Sequence, residues 1–143
     1  MTPHFSLEEL TFSNTAIRLD IDNTPTPEAL NNLQMLAEGL EEVRAKLDSN
    51  PIKISSGYRC LKLNKAVKSR DTSYHTKGLA ADFTCPRYGS VKEVMQTLAK
   101  SSIEFDQLIY EFGSWIHIGF PEAGTKARRQ VFTIDKKGVR PFE

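Results

Sequence analysis

The stretch Gln107-Leu108-Ile109-Tyr110-Glu111-Phe112-Gly113-Ser114-Trp115-Ile116-His117-Ile118-Gly119-Phe120 reads as a β-hairpin. Apolar residues alternate on both sides of Phe112-Gly113-Ser114, and Gly113 supplies the backbone freedom that a three-residue loop needs. With that loop, Glu111 falls opposite Trp115 and Ile109 opposite His117. Ile116, Ile118 and Phe120 then share one face, and Trp115, His117 and Gly119 share the other. Glu111 and His117 reach the same face as diagonal neighbours, roughly 7–8 Å apart between backbones. A loop of two or four residues would flip the register and separate them.

Working outward, Ala80 to Thr84 reads as a second strand, with Asp82 on the face of Ala80 and Thr84 and opposite Ala81 and Phe83. Each strand therefore has a bulky face for a core and a second face carrying one potential ligand. Helical signals dominate the earlier half. Ser6 with Glu9 fits a capping box and starts a short helix at Leu7. Thr26-Pro27-Glu28 opens a long helix, in which Leu30, Leu33, Leu36, Leu40, Val43 and Leu47 recur every three or four residues. Asp48-Ser49-Asn50-Pro51 ends it. Residues 13–26 read as loop, Ile52–Ile54 as a short strand, and 60–67 as a short helix turning Leu61, Leu63 and Val67 inward. Ser90 with Glu93 caps another helix that buries Val91, Val94, Met95 and Leu98. A last strand is expected at Gln130–Ile134. Helices first and strands later give an α+β class, a small, mostly antiparallel sheet with helices packed on it.

The chain has 143 residues, which suits a single domain spanning 1–143. Hydrophobic residues at 39% and charged residues at 26% are an ordinary globular balance, so disorder is excluded. A net charge of +1 gives no electrostatic case for nucleic acid or an anionic membrane surface. No apolar run approaches the roughly 20 residues of a membrane span. The opening MTPHFSLEEL has neither a basic n-region nor an apolar h-region, so no secretory signal is expected. Cys60 and Cys85 are too few for a disulfide framework and belong to no C-x-x-C pair; they read as small buried thiols.

Chemistry concentrates in a few places. His75 lies in the polar segment Ser73-Tyr74-His75-Thr76-Lys77-Gly78, seven residues before Asp82. Together with His117 these give two imidazoles and a carboxylate, a standard catalytic zinc set when a fourth position stays open for water. Such a site wants a general base, for which Glu111 is placed by the hairpin, and an oxyanion stabiliser. Arg59, in Ser56-Gly57-Tyr58-Arg59, has a guanidinium fork suited to a carbonyl oxygen or carboxylate. Each residue taken singly has a structural reading too. His75 fits a loop histidine, His117 a hydrogen-bonded strand residue, Asp82 a turn cap, Glu111 a solvated hairpin end and Arg59 a surface ion pair. Asp106 reads as a turn residue.

In combination these segments resemble the M15 family of zinc peptidases, the D-alanyl-D-alanine carboxypeptidase group, and its short version common in phage and prophage genomes. Ser56-Gly57-Tyr58-Arg59 followed by Leu63-Asn64 is similar to that family's S-G-Y-R…L-N segment. Ser73-x-His75-x-x-Gly78-x-Ala80-x-Asp82 matches its S-x-H-x-x-G-x-A-x-D zinc signature at every fixed position. Phe105-Asp106-Gln107-Leu108-Ile109, Glu111 and Trp115-Ile116-His117 resemble its closing block, and the likeness runs over roughly residues 5–134. Two departures stand out. Many relatives carry the catalytic acid three residues before the last histidine, where this chain has Ser114. Phage-type relatives have Val-Gly-Gly ahead of the zinc motif, where this chain has Val67-Lys68-Ser69-Arg70.

The resemblance implies a fold like that of the hedgehog and D-alanyl-D-alanine peptidase domains. It implies zinc held by His75, Asp82 and His117, with Glu111 and Arg59 catalytic, and with Ser73, Trp115 and Tyr58 touching substrate. The implied activity is hydrolysis of peptide bonds in bacterial peptidoglycan stem peptides by a monomer. A chain made in the cytoplasm would then reach the wall after phage-type release. The rival expectations are a non-catalytic zinc-containing module that grips the wall or a protein partner, and a metal-free structural protein of a phage particle.

Overall fold

A computed structural model describes residues 1–143. Side-chain caps start the early helices. Ser6 Oγ accepts the Glu9 N–H at the head of α1 (Leu7–Thr11). Ser13 does the same for Ala16 in α2 (Asn14–Arg18). In α3 (Pro27–Lys46) the cap is Thr26 and proline sits in the first turn, where its missing N–H costs nothing. β1 (Lys53–Ser56), α4 (Leu61–Ala66) and a short 3-10 turn (Tyr74–Lys77) lead into β2 (Ala80–Thr84). Then come α5 (Val91–Ala99), β3 (Gln107–Glu111), β4 (Trp115–Gly119), β5 (Gln130–Asp135) and β6 (Gly138–Pro141). Ser90 and Glu93 complete both halves of a capping box on α5.

The strands form one sheet in the order β1-β2-β4-β3-β5-β6. Every pairing is antiparallel except β3 with β5. The class is α+β, as the order of elements implies. One face carries Ala81, Phe83, Leu108, Ile116 and Ile118, all buried against Leu33, Leu36, Leu40 and Val43 of α3 and Val94, Met95 and Leu98 of α5. Each fully buried Leu, Ile or Phe in such a layer stabilises the fold by about 1.5–3 kcal/mol. The β3–β4 turn has the expected three residues: Glu111 pairs with Trp115 and Ile109 with His117. The ligand-bearing face therefore points away from α3 and α5.

Four expectations need correction. The segment read as loop from 13 to 26 contains α2, which buries only Ala16 and leaves Ile17 69% exposed, so it has no apolar period to read. In α4 only Leu63 and Asn64 are buried. Leu61 stands two positions from Leu63 and so on the opposite face, and Val67 lies past the last turn; both are exposed. The first strand, at one edge of the sheet, begins at Lys53 rather than Ile52. Finally, β6 was not expected: all four of its residues are exposed, so no alternation marks it. Cys60 and Cys85 are free thiols; Cys85 is buried, while half-buried Cys60 caps α4. No helix is long and apolar enough to cross a membrane.

Candidate metal centre

Asp82 on β2 and His117 on β4 are direct partners across the sheet. His117 Nδ1 lies 2.9 Å from Asp82 Oδ1. His75 arrives on the same face from the 3-10 turn, with Nε2 3.2 Å from the same oxygen. One ligand atom from each residue lies within 4.8 Å of the others. The two imidazoles meet edge to face at 5.1 Å. Local chemistry builds the turn. Ser73 Oγ accepts the His75 N–H, and Gly78 closes the turn with φ 77°, a left-handed conformation that favours glycine. A Cβ there would also stand 2.7 Å from the Ala29 carbonyl oxygen of α3.

The protonation chemistry of His75 tests whether these residues fit a metal. Its Nδ1 lies 2.7 Å from the Gly57 carbonyl oxygen and can only donate to it. Burial pushes the His75 pKa down, against the opposing pull of Asp82, so the ring favours its neutral form. A neutral imidazole has one N–H, already given to Gly57. With Nδ1 given to Gly57, Nε2 is the ring nitrogen left to face Asp82 Oδ1, where a cation could be shared between them. The carbonyl behind Nδ1 is also the usual partner that fixes the tautomer of a metal-bound histidine. Burial alone would raise the Asp82 pKa, but His75 and His117 outweigh it and hold the carboxyl well below the ordinary range. A carboxylate and two imidazoles converging on one face form a donor set that could hold a divalent cation. The Asp82 and His117 side chains keep 15% and 12% exposure, so the cluster opens to solvent on one side.

Gly57 is required by packing: a Cβ would come within 2.3 Å of the Leu10 carbonyl oxygen in α1. With that close approach, the Gly57 carbonyl meets His75 and the Arg59 N–H bonds the His75 carbonyl (3.0 Å). The Arg59 side chain is half-buried, its Nε has no hydrogen-bond partner, and it borders a 240 Å³ groove with Phe12, Ser13, Ser55 and Ser56. Burial lowers the Arg59 pKa, while the charges of Asp82 and Glu111 support its cationic form. Glu111 is half-buried on the same face. Burial raises its pKa first and the Asp82 charge second; His117, Arg59 and the Trp115 indole pull the other way. A carboxylate raised in this manner is a better proton acceptor near neutral pH.

The structure thus brings together His75, Asp82 and His117, with Arg59 and Glu111 close enough for their charges to be felt there. Trp115 is half-buried beside Glu111. Ser73 acts as the cap of the turn that carries His75. Tyr58 is only 4% exposed and packs in the core, reaching the floor of the Arg59 groove. Sequence reading passed over Asn23, whose side chain donates to the carbonyls of Thr11 and Tyr58 and accepts the Cys60 N–H. This residue braces the whole Gly57–Arg59 segment, and nothing local distinguishes it from any loop asparagine. Asp106, read as a turn residue, is instead buried and held by Arg128 through both Oδ atoms.

A search of curated proteins found no match. Residues 3–119 match the family model described as peptidase M15, a span that holds every residue of the cluster and the whole β3–β4 hairpin. The chain belongs to the peptidase M15 family, metallopeptidases that act on peptidoglycan-type substrates.

Proposed function

We propose that the chain is a monomeric zinc peptidase, one domain over residues 1–143, that hydrolyses peptidoglycan stem peptides in the manner of a D-alanyl-D-alanine carboxypeptidase. The observation that carries this reading is the convergence of His75 and His117 on one oxygen of Asp82, with an unpaired guanidinium and a raised carboxyl on the same side. Zinc, when bound by His75, Asp82 and His117, supplies a Lewis acid that acidifies water and polarises a carbonyl. Two nitrogens and an oxygen suit that ion, and three protein ligands leave a fourth position for reactants.

The chain's own groups do the rest. Glu111 takes a proton from the attacking water and delivers it to the leaving amine. Arg59 offers charged N–H groups to the scissile carbonyl oxygen as negative charge grows there. Its buried, unpartnered Nε supports this role, since it lacks an internal acceptor. Ser73 and Trp115 border the substrate, and the Arg59 groove takes the part of the peptide beyond the cut bond.

Metal analysis of the purified protein should find about one zinc per chain. Glu111→Ala should keep that zinc and lose cleavage of muropeptides; a fully active Glu111→Ala removes Glu111 from the mechanism. Mass spectrometry of digested sacculi identifies the bond, and cleavage elsewhere than D-alanyl-D-alanine rejects the carboxypeptidase assignment. Bound zinc with no turnover on any wall fragment would point to a binding module instead.

A further inference from the structure

Three buried side-chain polar atoms lack a hydrogen-bond partner: Arg59 Nε, Asn64 Oδ1 and Trp115 Nε1. Buried polar atoms are nearly always paired, so each orphan asks for a reason. Arg59 has one in the proposed reaction, but Trp115 as a wall of the pocket needs only its ring. Its N–H has no partner at hydrogen-bond distance, yet the indole lies near enough to Glu111 to pull that carboxyl's pKa down.

The β3–β4 turn is built around that indole. Trp115 is the direct cross-strand partner of Glu111, so their side chains leave the sheet together on one face. Phe112, the next residue, has φ 54°, an uncommon conformation for a bulky side chain. Its N–H bonds the Ile134 carbonyl (2.8 Å) and its carbonyl accepts the Ser114 hydroxyl (3.1 Å), which hold the strained backbone in place. The outcome of that strain is a ring contact: Phe112 lies 5.6 Å from Trp115, tilted by 36°. Phe112 is nonetheless 50% exposed, so burial of its own ring does not repay the backbone cost. What the arrangement does is brace the indole on its outer side, beside a carboxylate that is its register partner.

We propose that Trp115 is the positioning residue for Glu111: its indole N–H is reserved for one carboxylate oxygen of Glu111, and Phe112 braces the ring. The second oxygen is left to exchange the proton. Glu111 needs such a holder because its side chain must cross the gap from β3 toward His117 with rotatable bonds to spare. The inference rests on the reading of Glu111 as the base, and it assigns the indole N–H of Trp115 to Glu111 rather than to the substrate, while the ring remains a wall of the pocket.

The chain contains a single tryptophan, so one indole N–H signal appears in a nitrogen–proton correlation spectrum. Glu111→Gln should move that signal to lower proton frequency and speed its exchange with solvent; an unmoved signal overturns the proposal. Trp115→Phe keeps the ring against Phe112 and removes the donor. It should lower kcat about tenfold or more, with KM within about twofold and the zinc content unchanged. A rise in KM at constant kcat assigns Trp115 to substrate contact and rejects positioning. Should Trp115→Phe fail to fold, the Glu111→Gln spectrum decides alone, because it retains the tryptophan. An active Glu111→Gln defeats the catalytic reading of Glu111 itself, whichever way the indole signal behaves.

Discussion

In the proposed zinc site His75 gives Nδ1 to the Gly57 carbonyl and turns Nε2 toward Asp82, so it offers the metal one nitrogen beside that carboxylate. Removing either the imidazole or the carboxylate should therefore abolish zinc retention. His75→Ala and Asp82→Ala are expected to purify without metal, and to show no rise in melting temperature when zinc is added. The parent chain should gain roughly 4 kcal/mol at zinc a thousandfold above its dissociation constant, a rise on the order of 10 °C. Equal responses in parent and variants would show that zinc binds elsewhere. These ligands are legible in the sequence because each sits on a strand face, or in a short signature, that spacing can place. The Gly57 carbonyl and Asn23 are not legible, because a carbonyl has no letter and a loop asparagine has no period. Their contribution is tertiary: together they fix where Arg59 and the turn of His75 come to rest.

The element that most tightly couples fold to site is the link from β1 into α4. Its backbone runs against α1 at Gly57, where an added methyl would meet the Leu10 carbonyl at 2.3 Å. Backbone cannot yield as a flexible side chain does, so Gly57→Ala should cost about 1–3 kcal/mol. It should also displace the carbonyl that holds His75, and so weaken zinc binding. Gly124→Ala is the control. Gly124 has φ 80° but nothing within 4 Å, so alanine there brings only backbone strain and should leave zinc affinity unchanged. Thermal melts with and without zinc separate the two, and a Gly57→Ala chain that binds zinc normally would reject the coupling. Elements were legible where local chemistry and burial agree. The long helix has a cap, an early proline and seven buried positions; α5 has a complete capping box. The hairpin was legible down to its register, because Gly113 sits between two alternating runs. By contrast, α2 and β6 lie on the surface, where neither buried stripe nor alternation is needed, so no hydrophobic period marks them.

At the scale of the molecule, the segment after β4 is tied by charge to the residues that lead into β3. Arg128 and its own backbone N–H bond Asp106, and the Arg129 guanidinium covers the Phe105 ring while donating to the carbonyls of Ile103 and Ser101. The clamp sets β5 in parallel register against β3, the strand that carries Glu111. Asp106 and Arg128 are far apart in sequence, and no periodicity announces such a pair, which is why Asp106 looked like an ordinary turn residue. The Arg128 hydrogen bonds hold the Asp106 pKa below the ordinary carboxylate value, overcoming the opposite effect of burial, and the Tyr74 hydroxyl adds to the lowering. The sign follows by linkage. A carboxylate whose pKa is depressed on folding contributes stability that is complete above the unfolded value of about 3.9 and is lost as pH falls through the lower folded value. Asp106→Asn should thus be less stable than the parent at pH 7, by about 1–2 kcal/mol, since Arg128 is half-exposed and regains water when its partner is lost. The difference should shrink once pH drops below about 4. Melting both chains in chelator across that range keeps acid release of metal out of the comparison. A gap that stays constant down to the lowest pH would mean that the ion pair is not what anchors β5, and that the packing of Phe105 and Arg129 does so instead.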